Sequence, residues 1–259
     1  GEALSAATEI GYRRAAGHIL ANAGELYRTH GQAELALRHY DAALETAGEL
    51  GDRTLALMAL GNGGLAALDL GRFEPAGRLL EAAVALAELV GDADSVAEYG
   101  LGLARALLEL GREESAADRV TAAAGAAEQV GRADIVVESR LVSVRVDVLA
   151  GRTPAASAAR ELQALAATLD DPELRASVLY EAWRLGGRKT ARDRAASLYR
   201  RLHRRAPAAE YRRRHRELTG RALPDPEPLP PLVPVDAEEP LEDLEARALE
   251  HAGVRATVL

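Results

Sequence analysis

Gly31-Gln32-Ala33-Glu34-Leu35-Ala36 is the stretch on which the fold turns, because its first and last residues come back at a fixed interval. Glycine recurs at Gly31, Gly71, Gly111 and Gly151, and alanine follows five residues after each, at Ala36, Ala76, Ala116 and Ala156. A second series, Gly51, Gly91 and Gly131, falls midway between them, with Asp171 in the fourth place. Equal spacing kept through four copies marks a repeat protein with a 40-residue unit.

Each unit holds two apolar-rich stretches, one ending at each glycine series. Their apolar residues recur at helical rather than strand spacing, as in Leu35, Leu37, Tyr40, Ala43, Leu44 and Ala47. A glycine can take the left-handed conformation that closes a helix, so both series read as helix stops. Asp52 and Asp92 then stand where N-caps are needed, and Asp171-Pro172 supplies a cap with proline in the first helical turn. The repeated alanine suits two antiparallel helices crossing closely just after a tight turn, where a larger side chain would force the backbones apart. These features predict an all-α superhelical solenoid of antiparallel helix pairs.

The pattern resembles the tetratricopeptide repeat family in a longer, 40-residue form. Ala23-Gly24, Tyr27, Gly31, Ala36, Tyr40 and Ala43 occupy its signature positions in the first complete unit. Gly63-Gly64, Gly71, Ala76, Leu80 and Ala83 do so in the second, and Leu103-Ala104, Gly111, Ala116, Val120 and Ala123 in the third. The fourth keeps Gly151 and Ala156 but has Arg160 and Gln163 where apolar residues are expected. The likeness spans residues 2–206.

Ala3, Leu4, Ala7 and Gly11 precede Ala43, Leu44, Ala47 and Gly51 by one period, so residues 1–11 read as the end of a truncated earlier repeat in a longer polypeptide. Residues 12–206 form the array: pairs at 12–51, 52–91, 92–131 and 132–170, then a shorter fifth from Asp171 through Gly186-Gly187 to Arg205, with Tyr180 and Trp183 as core filler. Residues 207–220 read as a polar, basic capping helix, because the exposed end of a solenoid needs one. Seven prolines between Ala222 and Pro240 make 221–240 an extended linker, and 241–259 a short acidic helix or tail.

Aromatic residues make up only 3% of a chain with 48% apolar content, so the core must consist of close helix contacts rather than bulky anchors. Cysteine is absent, which excludes disulfides, thiolate metal sites and thiol nucleophiles. No apolar run approaches the ~20 residues that span a bilayer, and no signal pattern opens the chain, so a cytoplasmic protein is expected. The six histidines form no metal-binding set, and Gly187-Arg188-Lys189-Thr190 lacks the spacing of a phosphate loop, so neither a cofactor nor an enzyme is expected.

The resemblance implies that the first helix of each pair lines a concave groove in which an extended partner segment lies. It places Asn22, Glu25 and Arg28 there in the first complete unit, and Asn62, Arg105 and Arg145 in later ones, with Glu98 and Glu138 near the starts of their helices. Three pairs repeat at one period: Asn22 with Asn62, Arg105 with Arg145, and Glu98 with Glu138. Stacked asparagine amides could hydrogen-bond a bound main chain, and the bland alternative is that all these polar residues face water. Gly61 in Gly61-Asn62-Gly63-Gly64 is expected to leave the groove floor bare for a bulky ligand side chain, while Gly63 and Gly64 permit close packing.

Arg212, Arg213, Arg214 and Arg216 give the capping helix three readings: a solvated face, a nucleic-acid contact, or a dock for the acidic tail 222–259 of the same chain. The expected role is a protein or peptide interaction scaffold within a larger bacterial signalling or regulatory protein. A ligand-sensing array that controls an attached effector, and a self-associating structural module, are the alternatives.

Overall fold

The computed structural model describes residues 2–230, and side chains from residue 11 onward. Its helices are α1 (Glu2–Thr29), α2 (Ala33–Leu50), α3 (Arg53–Asp69), α4 (Phe73–Val90), α5 (Ala93–Glu109) and α6 (Glu113–Val130). The later ones are α7 (Ala133–Leu149), α8 (Ala155–Thr168), α9 (Pro172–Gly186), α10 (Lys189–Arg205) and α11 (Ala209–Thr219). There is no strand among the described residues, and each helix except α7 packs closely on the next, giving an all-α solenoid of helix pairs. None of these helices is long and apolar enough to cross a membrane. The acidic segment 241–259 and the linker beyond Pro230 lie outside the described residues.

The glycine period has the physical cause expected of it. All seven glycines of the two series have φ between +63° and +79°, where a Cβ would be strained. At the end of α2, Gly51 turns left-handed so that the Asp52 amide reaches back to the Ala47 carbonyl at 2.9 Å. The Asp52 side chain then accepts from the amides of Thr54 and Leu55, opening α3. Asp92 caps α5 through Ser95, and Asp171 caps α9 through Glu173 and Leu174.

Just beyond these turns the helices cross closely. Ala36, Ala76 and Ala116 are all fully buried. On the facing helices Gly24 lies under the Tyr40 ring and Gly64 under Leu80, where an added Cβ would sit 2.7 and 2.5 Å from the side chain. Arg72 pairs with Glu34 across 38 positions, and Arg112 with Glu74 and Arg132 with Asp94 across the same interval. These exposed rungs tie each turn to its neighbour, each worth ~0–1 kcal/mol.

Three expectations need correction. α1 runs unbroken through Gly11, which lacks the positive φ of the later glycines and so does not close a helix as they do. The fourth pair, 132–170, is not a closed hairpin, because α8 packs on α9 and barely touches α7. Pro154 is the reason: it restricts Thr153 to extended backbone and delays α8 to Ala155. Ala156 is left exposed, and Ala159 replaces it as the fully buried small residue, facing Gly186 of α9. Lastly, α11 is not polar all round, since Tyr211, Arg214, His215 and Leu218 are all buried while Arg216 and Glu217 are exposed.

Candidate functional site

The first helices of successive pairs, α1, α3, α5, α7 and α9, touch one another, whereas the second helices of successive pairs make few such contacts. The first helices are therefore crowded onto the inner side of the curve. α11 returns against this inner wall at the start of the chain. Arg212 donates to the Gly31 carbonyl at 3.0 Å and Arg213 to the Asp69 carbonyl at 3.3 Å.

Between α11 and the wall lies a cavity of about 370 Å³. Leu65, Leu68, Leu101, Ile135 and Leu174 supply apolar floor, and Gly102 lets the floor dip. Asp69, Glu98, Asp134, Glu138, Asp171, Glu173 and Glu210 face it against only Arg28, Arg105 and Arg132. Burial pushes Glu98 and Glu173 above the usual carboxylate range, with Arg132 and a Tyr211 hydrogen bond pulling the other way. Burial also lifts Asp69 to about 6 despite Arg28 at 3.2 Å. A surplus of carboxylates around a partly open cavity favours a cation.

A smaller recess of about 50 Å³ adjoins, where Arg105, Arg145, Arg184, Arg213 and Arg214 meet Glu109, Glu138, Glu181 and Glu210. Its centre is Glu109, which accepts from Arg145 at 2.5 Å and from Arg184 at 2.8 Å. Burial alone would raise this carboxyl, but the two guanidiniums outweigh it and hold it at about 2.

Of the residues singled out from the sequence, Arg28, Glu98, Arg105 and Glu138 line the larger cavity, and Arg145 the smaller. They are not free to meet a partner as isolated charges. Arg105 pairs with Glu138 at 3.1 Å, Arg28 with Glu25 and Asp69, and Glu98 with Arg132 at 3.7 Å. Glu25 also accepts from the Tyr40 hydroxyl at 3.0 Å.

The asparagines part company: Asn22 is exposed, while Asn62 accepts from the Tyr99 hydroxyl at 3.2 Å. Gly61 does not leave the floor bare. The Tyr99 ring of the following pair covers it so closely that a Cβ would sit 2.1 Å from the ring. A large residue from the adjacent helix fills the gap that the glycine opens.

The basic run on α11 is likewise not one solvated face. Arg214 is buried, donating to Ser177 at 2.9 Å and Tyr199 at 2.8 Å, pairing with Glu210, and stacking over the Tyr180 ring at 5.0 Å. Arg213 pairs with Glu217, Arg212 with Asp225, and Arg216 is exposed.

Asp69, Glu109, Glu173, Glu181, Arg184 and Glu210 went unmarked in the sequence reading. Asp69 and Glu109 are one period apart, so the test that paired Arg105 with Arg145 would have found them. Glu210 has no such signal, because it reaches the chamber only when α11 folds back. Among the described residues no three or more histidine or carboxylate side chains come together closely enough to hold a metal ion. No protein-family model matches this chain, and no curated protein matches its sequence.

Proposed function

We propose that the chain is an interaction module of the tetratricopeptide kind, and that it takes a lysine- or arginine-bearing segment of a partner polypeptide into its inner chamber. The observation that carries this reading is the carboxylate surplus around a cavity of about 370 Å³ with an apolar floor. The floor can take the methylene stem of a long basic side chain and the rim its charge. Two carboxyls that burial pushes up, Glu98 and Glu173, would be relieved by an incoming cation.

Calorimetric titration with a panel of extended basic peptides tests it, with peptides bearing norleucine in place of each basic residue as controls. Binding should need the basic residue, weaken with salt, and fall tenfold or more in the Glu98→Gln, Glu173→Gln double variant. Affinity indifferent to both changes would defeat the proposal. Reversing Arg105 or Arg145 is a poorer probe, because each holds a carboxylate of the wall in place. A second reading, a sensor array, is favoured by the return of α11 to α1 and α3, since an occupant between them bears on both ends of the solenoid.

A further inference from the structure

After α11 the chain turns at Gly220, whose φ is +70°, and runs back as an extended segment towards the first hairpin. From 221 to 230 only Leu223, Pro226 and Leu229 are half-buried, and the residues between them are exposed. The carbonyls that the rest of the protein holds follow the same interval. His203 Nε2 meets Pro224 O at 2.9 Å, His30 Nε2 meets Glu227 O at 3.0 Å, and the Tyr27 hydroxyl donates to Pro230 O at 3.1 Å. Apolar side chains and bonded carbonyls that both return every third residue describe one face of a polyproline II helix, which has three residues per turn and no internal hydrogen bonds. Four prolines in this segment favour that form, and they leave few amides to satisfy. The Leu229 amide finds the Gln32 side-chain oxygen at 3.0 Å.

The bonds divide between the two ends of the solenoid. His203 and Arg212, which pairs with Asp225, belong to the last helices; Tyr27, His30 and Gln32 belong to the first hairpin, and Leu229 packs against the hydrophobic cluster that the first hairpin shares with the next two pairs. Beneath this strap the two ends meet mainly through the polar contacts of Arg212 and Arg213 and the approach of Pro207 to Gly31. A seam made of few, part-buried polar bonds opens more readily than the packed hairpins beside it.

We infer that Tyr27, His30, Gln32, His203 and Arg212 form a docking site for a polyproline II strand, and that its occupant, residues 223–230 of this chain, is a releasable latch across the seam of the solenoid. With the latch seated, α11 stays against the α1 and α3 end of the inner wall; with it out, α11 and the last helices it packs on can part from α1 and α3, and the chamber opens. The consequence for ligand entry rests on the chamber being the binding site, but the latch itself is tested without any chamber ligand.

The latch is loosened in the full chain by Asp225→Arg with Leu229→Asp, and Glu227→Gln serves as control because only the Glu227 carbonyl is held. The chain has no cysteine, so Thr29→Cys and Arg216→Cys, both at exposed positions, place two spin labels across the seam. Pulsed dipolar spectroscopy should give a longer, broader distance distribution in the loosened protein and the wild-type one in the control. A fluorescent peptide of residues 222–230 should bind the loosened protein at least tenfold more tightly than the wild type, whose own strap competes at high effective concentration. A peptide with its prolines and leucines reordered off the three-residue interval should not bind. Unchanged distances with no gain in peptide affinity would overturn the inference. So would a wild-type dimer by light scattering that the loosening substitutions dissolve, because the strap would then serve a second copy.

Discussion

Replacing Glu109 with Gln tests whether the chamber wall is held by charge or only by shape. Glu109 joins α5 to α7 through Arg145 and to α9 through Arg184, so one carboxylate links three consecutive wall helices. A carboxyl held at about 2 in place of 4.5 corresponds, at 1.36 kcal/mol per pH decade, to at most about 3.4 kcal/mol. Solvent reaching a quarter of the side chain screens this to about 2 kcal/mol. Because the folded value is depressed, the stabilisation is complete above the unfolded value of 4.5 and is lost as pH falls from there towards 2. Urea unfolding should therefore show E109Q about 2 kcal/mol less stable at pH 7, with the gap shrinking below about 1 kcal/mol at pH 3. A carbon-13 titration of the Glu109 carboxyl gives the folded value directly. An equal gap at both pH values would refute the electrostatic account, as would no gap at pH 7.

Gly61→Ala should destabilise by about 1–3 kcal/mol in spite of alanine's better helix propensity, because its methyl displaces the Tyr99 ring; thermal melting measures this, and a higher Tm would count against the packing described. Asn62→Ala should cost about 0.5–1.5 kcal/mol by leaving the Tyr99 hydroxyl unbonded, while N22A at an exposed site changes stability by less than about 0.5 kcal/mol in the same urea assay. His203 titrates below its ordinary 6.5, because burial outweighs the pull of the Pro224 carbonyl. The unfolded chain then takes up the proton first, so stability falls as pH drops from 6.5 towards the depressed folded value; His203→Gln should lose that part of the pH slope.

The glycine series and the buried alanines were legible because a period records what every turn shares: a left-handed residue and a close crossing just after it. The same logic failed where one copy departs from the rest. Pro154 shifts α8 by backbone restriction alone, and Ala156, correct in spacing, ends up exposed while Ala159 takes its place. The resemblance also implied an inner-wall place for Arg28, Arg105 and Arg145, yet neither it nor the period could show that Asp69, Glu138 and Glu109 answer them from neighbouring helices. Such pairs depend on how far one hairpin rotates over the next. The return of α11 depends on that rotation accumulated along the whole array, and no single unit carries a trace of it. This is why Arg214 reads as surface charge in the sequence and lies buried over Tyr180 in the fold.

The meeting of Arg212 with Gly31 and of Arg213 with Asp69 also bears on how such a chain can evolve. An open-ended array tolerates duplication or deletion of a whole unit, because each copy answers only to its neighbours. Here a duplicated unit would carry the last helix past its landing place, and a deleted one would leave it short. Between α1 and α11 the number of copies should therefore be held more tightly than the residues inside each hairpin, which can vary without moving the landing place.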